Sequence, residues 1–306
     1  FGRYIAPAKG IFMKFKVLFL ILTAIAVFAG CAHIEPGQLD TSEPVVTDAP
    51  PEKQAYPVSF ENEVFDSSPQ TVASLSPALT DILFDLGLSD RLVGVSDYCR
   101  KPSEDVKIIG SPAMPDIEAI IELKPELLIS QSPLASADVI KLKQAGIRTL
   151  YIKPPESFEY LCEEYIRLSL IFYGAVDSKD IAVSALSGID GAMVAAANSG
   201  ISKSFVIISA YEDGKYVVMG RKTLACDIME VLGDGIYTSD KTEFMSKDDI
   251  VLMEPDVVII DDSLAEDDIG KLFENDPQIV AADLSVFERP TAAIKDTIEF
   301  LMNRLL

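Results

Sequence analysis

Asp81-Ile82-Leu83-Phe84-Asp85-Leu86-Gly87 is written a second time, 146 residues later, as Asp227-Ile228-Met229-Glu230-Val231-Leu232-Gly233. Further on, Ile121-Glu122-Leu123-Lys124-Pro125-Glu126-Leu127-Leu128-Ile129 reads against Val251-Leu252-Met253-Glu254-Pro255-Asp256-Val257-Val258-Ile259 at an offset of 130. Seven residues before each of these prolines stands an acid, Glu118 in one copy and Asp248 in the other. The matches keep their order, and the offsets differ by a 16-residue insertion in the first copy. Helix, proline and strand in the same order twice predict two similar lobes with a cleft between them. The competing explanation is chance, because proline is a common stop after a helix. Two ordered matches with paired acids favour duplication.

Around these segments the chain alternates strand-like and helical runs. Strands are expected at Leu92–Val95, Val106–Ile109, Leu127–Ser130 and Thr149–Ile152, with helices near 79–86, 116–123 and 135–145. That spacing signals βαβ units and a mainly parallel sheet. The middle is helical: Phe158–Tyr173, then Asp177–Ser199, which opens on an Asp cap and stops at Gly200. At ~1.5 Å per residue the second of these spans roughly 34 Å, enough to bridge two lobes. Strands resume at Phe205–Ser209, Tyr216–Met219 and Val257–Ile260, and a helix over Thr291–Leu305 closes the chain. The expected division is 70–175 for the N-terminal lobe, 176–200 for the bridging helix and 201–306 for the C-terminal lobe.

The front end reads differently. Met13-Lys14-Phe15-Lys16 and the apolar run Val17 to Gly30 form a charged n-region and an h-region, shorter than the roughly 18 residues of a spanning helix. The run ends in Phe28-Ala29-Gly30-Cys31, similar to a bacterial lipobox, which makes Cys31 the expected lipidation site and 1–30 upstream residues plus signal peptide. Residues 31–69, rich in Pro, Glu, Ser, Thr and Asp, read as a flexible tether.

The 306 residues carry 49% apolar side chains and 24% charged ones, a folded profile with length for about two domains. Net charge is −22, and loss of Arg3, Lys9, Lys14 and Lys16 with the signal takes it to −26. Such a charge opposes nucleic acid and anionic membrane surfaces, so the only membrane contact expected is the lipid, and a cationic docking surface fits. Cys99, Cys162 and Cys226 show no CxxC spacing and read as buried free thiols, with one bridge from Cys99 left open. His33 is the single histidine and lies in the tether, which removes Ser–His–Asp, Cys–His and multi-histidine metal sites from the folded body. Neither GxxxxGK[ST] nor GxGxxG occurs, and the acidic run 261–268 lacks calcium-loop spacing. No pair among the 48 acids stands out for glycosidase chemistry.

Ser74-Leu75-Ser76-Pro77-Ala78, Thr80-Asp81-Ile82-Leu83, Val93-Gly94-Val95-Ser96-Asp97-Tyr98-Cys99 and the 118–129 segment resemble the first lobe of cobalamin-binding and siderophore-binding ABC transporter solute receptors. Gly220-Arg221-Lys222-Thr223, Asp227-Ile228-Met229, Leu232-Gly233 and Phe287-Glu288-Arg289-Pro290 resemble the second. The resemblance covers roughly 70–306. It implies two Rossmann-like α/β lobes joined by one long rigid helix, with the ligand in the cleft and no catalysed reaction. Glu118 and Asp248 match the carboxylates that dock such receptors onto arginines of the ABC permease dimer. Asp248 is one methylene shorter than the usual Glu.

By family position the cleft residues are Ser76, Pro77, Tyr98, Met114, Pro115, Gln131 and Ser132 from the first lobe and Tyr211, Arg221 and Arg289 from the second. Tyrosine supplies a flat apolar face with a polar tip, suited to a planar ligand. Arg221 is expected to fork onto ligand oxygens. The chain has no Trp, which cobalamin receptors often place in the cleft, so other corrinoids, ferric siderophores and haem come forward beside cobalamin. The expected protein is a monomeric, extracytoplasmic, lipid-anchored receptor with no cofactor beyond its metal-chelate ligand. A same-fold receptor for molybdate or another oxyanion, or a carboxylate-dependent lipoprotein enzyme, are the alternatives.

Overall fold

The computed structural model describes residues 55–61, 63–273 and 277–306. Cys31 and the expected signal and lipidation segment lie outside them.

The first lobe is built from β3 (Val72–Ser74), α1 (Pro77–Asp85), β4 (Leu92–Val95), β5 (Lys107–Ile108), α2 (Ile117–Leu123), β6 (Leu127–Ser130), α3 (Ser136–Gln144) and β7 (Arg148–Tyr151). Its sheet has the order β5-β4-β3-β6-β7, every neighbouring pair parallel. The second lobe contains β8 (Lys203–Glu212), β9 (Lys215–Val218), α5 (Leu224–Met229), β10 (Gly233–Gly235), β11 (Glu243–Met245), α6 (Lys247–Val251), β12 (Val257–Asp261), α7 (Glu266–Gly270), β13 (Gln278–Ala282) and α8 (Ile294–Leu305). Its order is β11-β9-β8-β12-β13, with β10 parallel to the start of β8 and β9 antiparallel to its end.

Alternation along the strands decides how the lobes join. Val72, Leu127 and Ile129 of the first sheet, and Phe205, Ile207, Val257 and Ile259 of the second, belong to one continuous core. The intervening residues face away, Ala73, Leu75 and Leu128 under α2 and α3, and Val206, Ile208, Val258 and Ile260 under α6 and α7. Between the two inner faces runs α4 (Phe158–Ala197), 40 residues long. Leu161, Tyr165, Leu168 and Phe172, then Ala182, Leu186 and Ile189, bury one stripe at helical spacing. Each large buried side chain contributes about 1.5–3 kcal/mol of transfer free energy, so the lobes are held by a shared core as well as by the chain.

The two helical segments expected at 158–173 and 177–199 are both present, and they meet end to end within α4 at a break at Gly174. Gly174 adopts φ 75° and ψ −177°, and a Cβ there would meet the Ala55 carbonyl oxygen at 2.5 Å. The Ala175 N–H donates to that same oxygen at 2.8 Å.

The segment against the kink corrects the expected tether, which was drawn to residue 69. β1 (Val58–Phe60) and β2 (Glu63–Phe65) form an antiparallel hairpin whose Val58, Phe60 and Phe65 are buried in the shared core. The alternation Val58-Ser59-Phe60 supplies one apolar face, a signal that surrounding Pro and Glu residues mask. Tyr56 donates its hydroxyl to the Ile171 carbonyl at 2.9 Å, and Arg148 lies 4.7 Å over the Phe65 ring.

Candidate functional site

The order β5-β4-β3-β6-β7 reverses direction between β3 and β6, because the chain builds outward from β3 on one side and then returns to its other side. Such a switch point leaves a crevice beyond the carboxyl ends of the two strands. Ser76 follows β3 there and Gln131 follows β6. Ser76 caps α1, accepting from the Leu79 N–H at 3.2 Å, and its hydroxyl donates to Gln131 Oε1 at 2.7 Å. Pro77 at the first helical position needs no N–H partner, which suits it to this turn.

Gln131 in turn donates from Nε2 to Glu164 Oε1 at 3.0 Å. Glu164 is an acid on the buried stripe of α4, 3% exposed, and its Oε2 has no partner among the described residues. Burial pushes its carboxyl up to about 8, against the opposing Gln131 hydrogen bond and Arg167 charge. At neutral pH the proton is therefore mostly bound, as expected where an anion would be desolvated.

A cavity of about 290 Å³ opens above this network, lined by Ser76, Pro77, Ala78, Tyr98, Pro112, Gln131, Glu288 and Arg289. The last two come from the second lobe, so the cavity lies at the junction of the lobes. Arg289 also reaches across: its Nε and Nη2 donate to Asp81 Oδ2 at 2.9 and 2.6 Å. Arg100 brings its Nε to 3.2 Å from Asp81 Oδ1 and lays its guanidinium 3.6 Å over Phe84. One turn along α1, Asp85 Oδ2 accepts from the Tyr165 hydroxyl at 2.7 Å and from the Ala292 N–H at 3.0 Å. At the start of α4 the lobes meet again, where the Phe158 N–H donates to Asp227 Oδ2 at 2.8 Å. Burial holds the Asp227 carboxyl above the usual range, although that hydrogen bond pulls the other way.

Of the expected cleft residues, Ser76, Pro77, Tyr98, Gln131 and Arg289 come together at this cavity. The others stand apart from its lining. Met114 is 79% exposed, in a turn closed by the Met114 N–H on Ser111 Oγ. Pro115 bridges Gly110, and Ser132 closes a turn on the Ser130 hydroxyl through its N–H and carbonyl. Tyr211 packs on Tyr216 with ring centroids 4.7 Å apart, which occupies one of its faces. Arg221 lies 5.5 Å over the Tyr237 ring. Pro112, Glu288, Glu164 and the interlobe acids Asp81, Asp85 and Asp227 are not among the residues expected in the cleft. Glu164 was legible, as an acid spaced three residues after Leu161 and four before Leu168 on an apolar stripe.

Glu118 and Asp248 are both exposed, in the first turns of α2 and α6. Each helix links parallel strands and so starts at their carboxyl ends, the end that carries the cavity. Cys99, Cys162 and Cys226 are free; burial pushes the Cys162 and Cys226 thiols up to about 11, away from reactivity. Among the described residues no group of three or more His, Cys, Asp or Glu side chains could hold a metal ion.

Comparison with known proteins agrees with this geometry. An uncharacterized ABC transporter substrate-binding lipoprotein, YvrC, of Bacillus subtilis (strain 168) is 28% identical over 261 residues, 80% of this chain and 79% of that protein. A vitamin B12-binding protein of Photorhabdus laumondii is 24% identical over 243 residues, 75% of this chain and 84% of that one. The crystal structure of the periplasmic heme-binding protein HutB of Vibrio cholerae superposes with a TM-score of 0.65 at 16% identity, covering 76% of this chain and 98% of that one. The profile of the periplasmic binding protein family matches residues 72–248, more than half of the sequence; with two lobes, one linking helix and a cavity at their junction, the chain belongs to that family.

Proposed function

We propose that this chain is the extracytoplasmic receptor of an ABC importer, capturing a metal-chelate nutrient (cobalamin or another corrinoid, a ferric siderophore or haem) and passing it unchanged to the permease. The observation that carries the reading is the cavity at the first lobe's switch point, completed by Arg289 from the second lobe. Its volume of about 290 Å³ falls at the lower edge of the ~300–1,000 Å³ of small-molecule sites. A bulky chelate would therefore seat one edge in the cavity and rest its body outside, against Tyr98, which is 66% exposed. Arg289 would orient it through an oxygen, with Gln131 and Ser76 as polar floor.

Delivery adds two elements. Glu118 and Asp248 are assigned to docking on cationic groups of a two-fold permease, because they occupy equivalent places on the two lobes. The apolar side chains four residues before them, Met114 and Phe244, are also both exposed, at 79% and 58%, which gives each acid the same neighbour. Cys31 is assigned to lipid anchoring, and Cys31→Ala should release the protein from membranes or leave it unprocessed, as fractionation would show.

The small cavity and its guanidinium also favour a second reading, a receptor for molybdate or another oxyanion. Calorimetric titration of the mature chain with cyanocobalamin, cobinamide, haemin, ferric siderophores and molybdate separates the two. Micromolar or tighter binding of one chelate class, recovered unchanged after denaturation, supports the first reading. Binding of molybdate alone supports the second, and a chemically altered ligand would reject both in favour of an enzyme.

A further inference from the structure

We propose that the cleft is held at a fixed aperture by two reciprocal clasps, in which the first helix of each lobe grips the start of the other lobe's closing helix. In one direction Asp227 of α5 takes the Phe158 N–H, the first helical amide of α4, at 2.8 Å. In the other, Asp81 and Asp85 of α1 take the Arg289 guanidinium and the Ala292 N–H, just before α8. The topology puts the two contacts at comparable places in the two lobes. α4 follows β7, the last strand of the first lobe, and α8 follows β13, the last strand of the second. Asp81 and Asp227 are themselves matched residues of the repeat, 146 positions apart.

The two contacts are unequal. Asp227 bonds a backbone amide at a helix start, where the orphan N–H groups and the helix dipole favour a carboxylate. Asp81, 8% exposed, bonds a side chain, and the bond also fixes the pose of a cavity residue. Both Arg289 donors in use, Nε and Nη2, go to a single oxygen of Asp81, and Nη1 keeps no protein partner among the described residues. Asp81 is thus a positioning residue: it orders the guanidinium before any ligand arrives, which removes part of the ordering cost of binding. Charge-assisted hydrogen bonds of this kind are each stronger than neutral ones. Two of them at separate points resist rotation of one lobe on the other in a way that a single contact does not.

The test needs no ligand, so its failure is distinguishable from failure of the receptor reading. Hydrogen–deuterium exchange of the unliganded mature chain would be followed by mass spectrometry in peptides spanning 153–165 and 286–298, in wild type, Asp227→Ala and Arg289→Met. Each variant should speed exchange of its own segment by about tenfold, the loss expected for one charge-assisted bond. Because both clasps close one interface, each should also speed the other segment by about threefold or more. Reaction of Arg289 with phenylglyoxal should rise severalfold in Asp81→Asn, which removes the charge while keeping the shape. Should Arg289→Met fail to fold, Asp81→Asn replaces it in the exchange experiment. Acceleration confined to the mutated side would reduce the contacts to local caps and overturn the lock, as would unchanged exchange in both variants. An unchanged Arg289 reaction rate would overturn the positioning role.

Discussion

The two lobes agree in detail wherever the repeat runs and disagree where the cavity is. Asp116 caps α2 by accepting from the Ala119 N–H, and Ser246, 130 residues later, caps α6 by accepting from the Asp249 N–H. Lys124 leaves α2 with φ 51° and Glu254 leaves α6 with φ 48°, at the same offset and before matching buried prolines. The cavity follows no such rule. Its first-lobe residues stand on the segments after β3, β4 and β6 and before α2, whereas its second-lobe residues, Glu288 and Arg289, come from the loop after β13. A small ligand has no two-fold axis to match, but a pair of lobes, or a two-fold partner, does. Under the proposed function, the duplicated features are assigned to the lobe interface and docking, and the single ones to recognition.

That division is most exposed to failure at the paired acids. Reversing both, Glu118→Lys with Asp248→Lys, should abolish uptake in cells while ligand affinity in the purified protein stays within about threefold, since exposed charges steer and orient a partner more than they hold a ligand. Affinity that collapses with uptake would move these acids into the binding site. Either single reversal should cause an intermediate loss of similar size, because the two positions are equivalent.

The single, unrepeated face makes the opposite prediction. Tyr98→Ala should weaken ligand binding by about tenfold and Tyr98→Phe by less than threefold, because the ring supplies stacking area and the hydroxyl little. Calorimetry against whichever ligand binds decides it; equal losses in the two variants would mean that the hydroxyl, not the ring, is the contact.

The sequence carried the repeated part well and the single part poorly, for a physical reason. Strands such as Leu127–Ser130 and Val257–Asp261 are buried on both faces, so they announce themselves as apolar runs, and the helix–Pro–strand junctions fix their ends. Tyr211 and Arg221 are expected in the cleft by family position, and their residue types suit it, yet each already has an aromatic partner within its own lobe. Residue type says what a side chain can do, and only the loop path says what it faces. The hairpin at 58–65 was missed because three residues per strand give alternation too short to separate from a linker.

Glu164 extends the comparison into the connecting helix. Its folded-state carboxyl sits near 8, above the ordinary value of 4.5. A raised carboxyl favours the folded state through proton uptake; that contribution is full below about pH 4.5 and is lost as pH rises through about 8. Glu164→Gln keeps the acceptor for Gln131 without the charge. The difference in Tm between variant and wild type should be close to zero at about pH 4 and grow to several degrees in favour of the variant by about pH 9. A difference that does not change with pH would show that Glu164 is solvated or paired in solution.

The smallest effects test whether the repeat is a matter of energy as well as form. Asp116→Ala and Ser246→Ala each remove one side-chain acceptor at an N-cap, worth about 1 kcal/mol apiece. The caps are not identical in construction. Ser246 belongs to a reciprocal box, its own N–H donating to Asp249 Oδ2 at 3.3 Å and its hydroxyl at 2.6 Å, whereas Asp116 adds a negative charge at the first turn of α2. The box loses two bonds through the serine hydroxyl, and the aspartate loses one bond plus its interaction with the helix dipole. These losses should offset, leaving urea-unfolding free energies of the two variants within about 0.5 kcal/mol of each other. A gap well beyond that would show that one lobe relies on its cap and the other does not, and the equivalence drawn from matched offsets would then hold for the backbone alone.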